Sequence, residues 1–277
     1  MLIGRQAECE RIERLVDEAR EGRGGAVLLR GEAGIGKTSL LEHARGLAGV
    51  DLVLAARGIE TEAEIPYAGL WDLLGPVLEL RDRLPEAQAT ALGQALALGP
   101  EGTPARFAVP AAVLGLLSVA TERRAAVCLI DDVQWLDAPS VEAIVFAARR
   151  LAGESVAMLL AAREGTGRRV DTTGIEEVNL GPLAPASAAE LLRREHGDRL
   201  SWAVAGELLT AAAGNPMALV ELPLSLTEEQ LVGRQELPPV LPAGQSLEEA
   251  FRRRLAGLPD RTRRALVVAA ALAGSED

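Results

Sequence analysis

Ala26-Val-Leu-Leu-Arg-Gly31-Glu-Ala-Gly-Ile-Gly-Lys-Thr38 is the stretch from which this chain is read. It opens on a short continuous apolar run, Ala26 to Leu29, preceded by Gly24 and Gly25. Such a run, bounded by glycines, reads as a strand of a buried parallel sheet. Gly31 to Thr38 then matches the pattern G-x-x-x-x-G-K-[ST]. Backbone N–H groups that curl around a phosphate need small residues at the closest positions, and Gly31, Gly34 and Gly36 supply them. Lys37 brings an ammonium to the terminal phosphates, and Thr38 brings a hydroxyl to Mg²⁺. Glu32, Ala33, Ile35 and Ser39 complete the phosphate-binding set. A helix predicted from about Lys37 to Leu47 points its positive end at the anion. A chance glycine-rich turn is the plain alternative, but a strand before and a helix after are the setting a phosphate loop requires.

Outward from this loop, strands and helices alternate. Residues 6 to 22 carry Cys9, Ile12, Leu15, Val16 and Ala19 on one helical face. Leu52 to Ala56, Ala125 to Ile130, Val156 to Ala161 and Ile175 to Leu180 read as further strands. Helices are predicted over Tyr67 to Leu80, Glu86 to Leu98, Arg106 to Arg123 and Pro139 to Leu151. Trp71 and Trp135 read as core anchors. The pattern is that of an α/β domain with a parallel sheet. After Pro185 the strands stop, and helices follow at 187–195, 201–213, 216–221, 246–255 and 261–272. The expected division is 1–184 for the nucleotide-binding domain, 185–222 for a helical lid, 223–245 for a linker and 246–277 for a further helical region.

A phosphate loop needs an acid to organise Mg²⁺ and a group to position water. Leu129-Ile130-Asp131-Asp132 ends an apolar run in two acids. In a parallel sheet that end lies on the ligand side. Asp131 is the candidate for Mg²⁺, beside Thr38, and Asp132 the candidate base or water-orienting group. A solvated strand end or helix cap is the alternative for both. Arg163 ends the next apolar run, where a cation could touch the third phosphate. Its alternative is a surface pair with Glu164. His43 and His196 have no nucleophile or metal partner nearby in sequence and read as structural or surface residues.

Composition bounds the rest. The 277 residues carry a net charge of −11 and 3% aromatics. The acidic balance argues against a direct grip on DNA or RNA. Cys9 and Cys128 stand far apart, with no metal-ligand spacing, and read as reduced, buried or half-buried thiols. No signal peptide and no apolar run of membrane-spanning length is visible, so a cytoplasmic location is expected.

Several motifs together resemble a known family. Leu2-Ile3-Gly4-Arg5-Gln-Ala-Glu8 is similar to the N-terminal motif of STAND-type signalling ATPases, a branch of the AAA+ class. Glu64-Ile-Pro-Tyr-Ala-Gly-Leu-Trp71, Ile130-Asp-Asp-Val-Gln-Trp-Leu-Asp137 and Gly214-Asn-Pro-Met-Ala-Leu219 resemble the large ATP-binding LuxR-type transcriptional regulators of actinobacteria. The resemblance spans nearly the whole chain. It implies an AAA+/STAND-like P-loop NTPase fold: a parallel sheet flanked by helices, a helical lid, and the start of a winged-helix region in 246–277. It places Arg5 near the adenine, Pro216 against the base and Arg163 at the sensor position after the fourth core strand. ATP rather than GTP is likewise implied by the family.

The function so implied is a slowly hydrolysing switch that binds ATP or ADP with Mg²⁺ between the α/β domain and the lid. It would serve a bacterial transcriptional regulator, with self-association and an unidentified protein or small-molecule effector as further partners. The family continues into a sensor region and a helix-turn-helix, so no direct DNA binding is expected of these residues, and no membrane contact. The alternatives are a stand-alone AAA+-type ATPase and an ATP-dependent protein-interaction module without DNA binding.

Overall fold

In a computed structural model the apolar runs become a five-stranded parallel sheet. The described residues are 2–47, 51–99, 107–165 and 170–238, with 102, 168, 241, 262 and 263. The strands are β1 Gly25–Gly31, β2 Leu52–Arg57, β3 Ala126–Asp131, β4 Val156–Arg163 and β5 Glu176–Leu180, in the order β2-β3-β4-β1-β5. β3 is buried throughout, and β4 is buried up to Ala162. Strands covered on both sides read as unbroken apolar runs for that reason. β5 is an edge strand and is mostly exposed. Its Glu176 and Glu177 pair with Arg11 and Arg30.

Contacts divide the chain into two compact units. The first is Met1–Gly31 with Lys37–Leu180, and the second is Glu32–Gly36 with Gly181–Asp277. In the first unit, α1 (Gln6–Arg20) turns Cys9, Ile12, Leu15, Val16 and Ala19 inward, as its period requires. It packs on β4, and α2 (Lys37–Arg45) packs on β3. The alternate sheet positions Leu28, Leu54, Cys128, Ile130, Met158 and Leu160 join one apolar cluster. The same cluster takes in α3 (Ala68–Leu74), α4 (Glu86–Ala95), α5 (Ala108–Ala120) and α6 (Ala138–Ala148). The second unit contains α7 (Pro185–His196), α8 (Trp202–Ala212), α9 (Pro216–Leu224) and α10 (Glu228–Leu231). Its core is built by Leu183, Leu192, Val204, Leu208, Leu219 and Leu222.

Three expectations need correcting. The helix expected over Tyr67 to Leu80 ends at Leu74 and continues as a 3-10 helix, Gly75–Arg83. Pro76 has no N–H to donate, and its ring crowds the preceding turn. Trp71 is not a core anchor but 48% exposed, because α3 turns Gly69, Leu70, Leu73 and Leu74 inward. Trp135 is only half-buried. The stretch expected to be a linker, 223–245, begins inside α9 and then holds α10. Thr227 and Gln230 close a capping box around the start of α10. The winged-helix expectation falls on 246–277, which lies outside the described residues apart from 262 and 263.

Candidate nucleotide-binding site

Strand register brings the candidate residues of the first unit together. Gly31 at the end of β1 is opposite Arg163 at the end of β4. Arg57 at the end of β2 is opposite Asp131 at the end of β3. Parallel strands all present their carboxyl ends on one side, so these four residues share an edge of the sheet.

Lys37 opens α2 and is 6% exposed. Its Nζ donates to the Gly31 carbonyl at 2.9 Å. Burial pushes its pKa down to about 8. The nearby Arg163 guanidinium adds to that fall, and the carboxylates of Asp132, Asp131 and Glu164 oppose it. One residue on, the Thr38 hydroxyl donates to Asp131 Oδ2 at 2.8 Å. Asp131 Oδ1 accepts the Asp132 N–H at 2.9 Å. Thr38 and Asp131 also line a cavity of about 450 Å³, together with Leu41, Arg45, Arg57 and Asp72. A hydroxyl beside a carboxylate is a hard-oxygen pair. It suits an ion such as Mg²⁺, which keeps several waters and takes one or two protein ligands plus phosphate oxygens. Among the described residues, no group of three or more His, Cys, Asp or Glu could hold a metal ion.

Asp132 has a different setting. Its backbone is left-handed, with φ 49°, in the turn that leaves β3. Gly58 lies against that turn, where a Cβ would collide with the Asp132 carbonyl. The Asp132 carboxylate receives the Arg163 guanidinium in a fork, Nε to Oδ1 at 2.8 Å and Nη2 to Oδ2 at 3.0 Å. Gln134 Nε2 adds a bond to Oδ1 at 2.9 Å. Arg57, 69% exposed in its side chain, comes within 3.8 Å of Oδ2. Arg163 therefore pairs with Asp132 and not with the adjacent Glu164.

The apex of the phosphate loop, Glu32–Gly36, belongs to the second unit. Gly34 has φ 77°, and a Cβ there would stand 2.8 Å from the Asn215 carboxamide oxygen and from Met217 Cβ. Glycine is therefore required for space as well as for conformation. Gly36, at φ 102°, needs it for conformation. Asn215 caps α9 by accepting from the Met217 and Ala218 N–H groups. Its free amide donates to the Ala33 carbonyl at 2.9 Å, and the Met217 N–H donates to the Gly34 carbonyl at 3.2 Å. Pro216 is the first residue of α9, a position where its missing N–H costs nothing. Arg5 in the first unit is buried, and its guanidinium bonds Glu8 at 3.2 Å.

Gln134 and Asn215 were given no role from the sequence. Both lie inside the motifs quoted above. The signal available was a polar side chain flanked by apolar neighbours at a strand end or a helix start.

The AAA ATPase domain family matches residues 1–160, more than half of the chain. No curated protein matches the sequence. Among solved structures, the chain is similar to a STAND signal-transduction ATPase with a tetratricopeptide repeat sensor from Pyrococcus horikoshii. That match has a TM-score of 0.50 and 19% identity, and covers 90% of this chain and 32% of the other. It is also similar to a chain of the Drosophila origin recognition complex bound to DNA. There the TM-score is 0.50 and the identity 14%, covering 91% of this chain and 61% of the other. The chain thus spans about a third of the length of the first of these and under two thirds of the second. Among the described residues no helix is long and apolar enough to cross a membrane. The sheet, the loop and the family match agree on a P-loop NTPase of the AAA+ type, and the chain belongs to the AAA ATPase domain family.

Proposed function

We propose that this chain is an ATP-binding, slowly hydrolysing switch module of a bacterial LuxR-type transcriptional regulator. The observation that carries the ATPase part is the Thr38–Asp131 contact beside the buried Lys37. A hydroxyl, a carboxylate and an ammonium then converge where a triphosphate and its ion need them. The regulator part rests on the motifs at Glu64 to Trp71, Ile130 to Asp137 and Gly214 to Leu219.

In this reading the backbone of Gly31 to Ser39 cradles the phosphates, including the N–H groups of Glu32, Ala33, Gly34, Ile35 and Gly36. Lys37 leaves the Gly31 carbonyl for the β- and γ-phosphates. Thr38 and Asp131 would hold Mg²⁺, which would supply neutralisation of developing charge on the phosphate oxygens. Asp132 orients or deprotonates the attacking water, and Arg163 meets the γ-phosphate. Both are committed to each other at 2.8 and 3.0 Å, so each turnover must part them. That requirement suits slow hydrolysis. The family resemblance assigns Arg5, and in the second unit Pro216, to the adenine. Asn215 ties the loop apex to α9, so a change at the phosphates reaches that helix. Self-association and an effector are the further partners in this reading. Two buried free thiols suit a cytoplasmic setting.

The test is a titration of the chain and its Lys37→Ala variant with labelled ATP in Mg²⁺. The variant is expected to bind about a hundredfold more weakly or not at all. An unchanged affinity would sink the assignment.

A further inference from the structure

One buried polar side chain beside the acids has no task in the account above. Gln134 is 3% exposed and sits in the 3-10 turn Val133–Trp135 that follows β3. Its carboxamide makes two bonds in opposite directions. Nε2 donates to Asp132 Oδ1 at 2.9 Å, and Oε1 accepts the backbone N–H of Arg163 at 3.0 Å. Its orientation follows from its partners, since exchanging O and N would set acceptor against carboxylate and donor against N–H. The Arg163 guanidinium returns to Asp132 through two bonds and closes the ring.

The ring ties together the ends of two strands. Through Oε1 it fixes the backbone of the last residue of β4, and through Nε2 it fixes the carboxylate that leaves β3. No member can turn without breaking a bond to another. Gln134 bonds the carboxylate of Asp132 and the backbone N–H of Arg163, the two residues that carry opposite charge at the phosphate edge.

We propose that Gln134 is a positioning residue for the third phosphate: its own two bonds, to the Arg163 backbone N–H and the Asp132 carboxylate, keep both residues in place while the fork between them opens for a γ-phosphate. This rests on the reading of the phosphate loop given above. ADP presents no group at that place, so its binding does not depend on the ring. Gln134 therefore helps the protein tell ATP from ADP.

The experiment titrates the full chain with radiolabelled ATP and ADP in Mg²⁺, alongside Gln134→Met, Gln134→Glu and Lys37→Ala. Methionine keeps the length and removes both bonds. Glutamate keeps the acceptor for the Arg163 N–H and sets a carboxylate against Asp132, and it carries the test should the methionine variant not fold. Both variants are expected to lose about tenfold in ATP affinity and to hold ADP within about twofold of wild type. Retained ADP binding also shows that the fold is intact. Equal loss of both nucleotides, or no change in either, overturns the proposal. Lys37→Ala should lose both nucleotides. If it binds both as well as wild type, the phosphate-loop reading fails and takes this proposal with it. If it loses both while the Gln134 variants stay unselective, only the role of Gln134 falls.

Discussion

Asp131 and Asp132 are neighbours in sequence, yet they stand in two unlike regions of the same sheet edge. Asp131 faces α2 and has two neutral donors, the Thr38 hydroxyl and a backbone N–H. Asp132 faces β4 and receives a guanidinium fork, a carboxamide and a second arginine at longer range. A cation can displace the Thr38 hydrogen bond from Asp131 without separating an ion pair. Pulling Asp132 from Arg163 separates two opposite charges in a half-buried setting, which is far more costly unless new partners take over. In the proposed function the first region takes the ion, and the second opens when something competes for the arginine.

Breaking the first region should have the largest effect. Asp131→Asn is expected to lower hydrolysis about a thousandfold and to remove the dependence of ATP affinity on Mg²⁺. Asp132→Asn, at the second region, is expected to lower turnover about a hundredfold and to leave Mg-ATP binding within about threefold. Steady-state rates and Mg²⁺ titrations of the two variants side by side check both. If they behave alike, the distinction between the regions is wrong.

The smallest effect expected is in pH. Lys37 sits in the field of both regions, and its pKa is lowered to about 8, by burial first and by Arg163 next. Free protein thus holds the ammonium below about pH 8 and loses it above. Bound phosphates favour the charged form, so binding takes up a proton on the alkaline side. Nucleotide affinity should be flat up to about pH 7 and fall about tenfold by pH 9. A profile level to pH 10 would mean that Lys37 keeps an ordinary pKa.

The comparison also shows what a sequence carries. β1, β3 and β4 were legible because strands buried on both sides need unbroken apolar runs, and the phosphate loop because its chemistry restricts residue types at fixed spacing. Asp131 and Arg163 followed from their places at the ends of such runs. The order β2-β3-β4-β1-β5 was not legible, since pairing between distant strands leaves no local mark. Nor was the partner of Arg163, where the neighbouring Glu164 offered a simpler pair than Asp132, thirty-one residues away. Trp71 was misplaced because its size says nothing of which face of α3 turns inward. Gln134 and Asn215 were hidden for a related reason. A carboxamide has no charge or reactivity to announce it, and its work appears only when its two ends find partners.

The measurement that tests the central claim most directly is to purify the chain, denature it and identify the nucleotide released. The account predicts ADP or ATP, near one per chain, or stoichiometric uptake of added Mg-ATP by protein that comes empty. A protein that carries no nucleotide and takes up no Mg-ATP would contradict it.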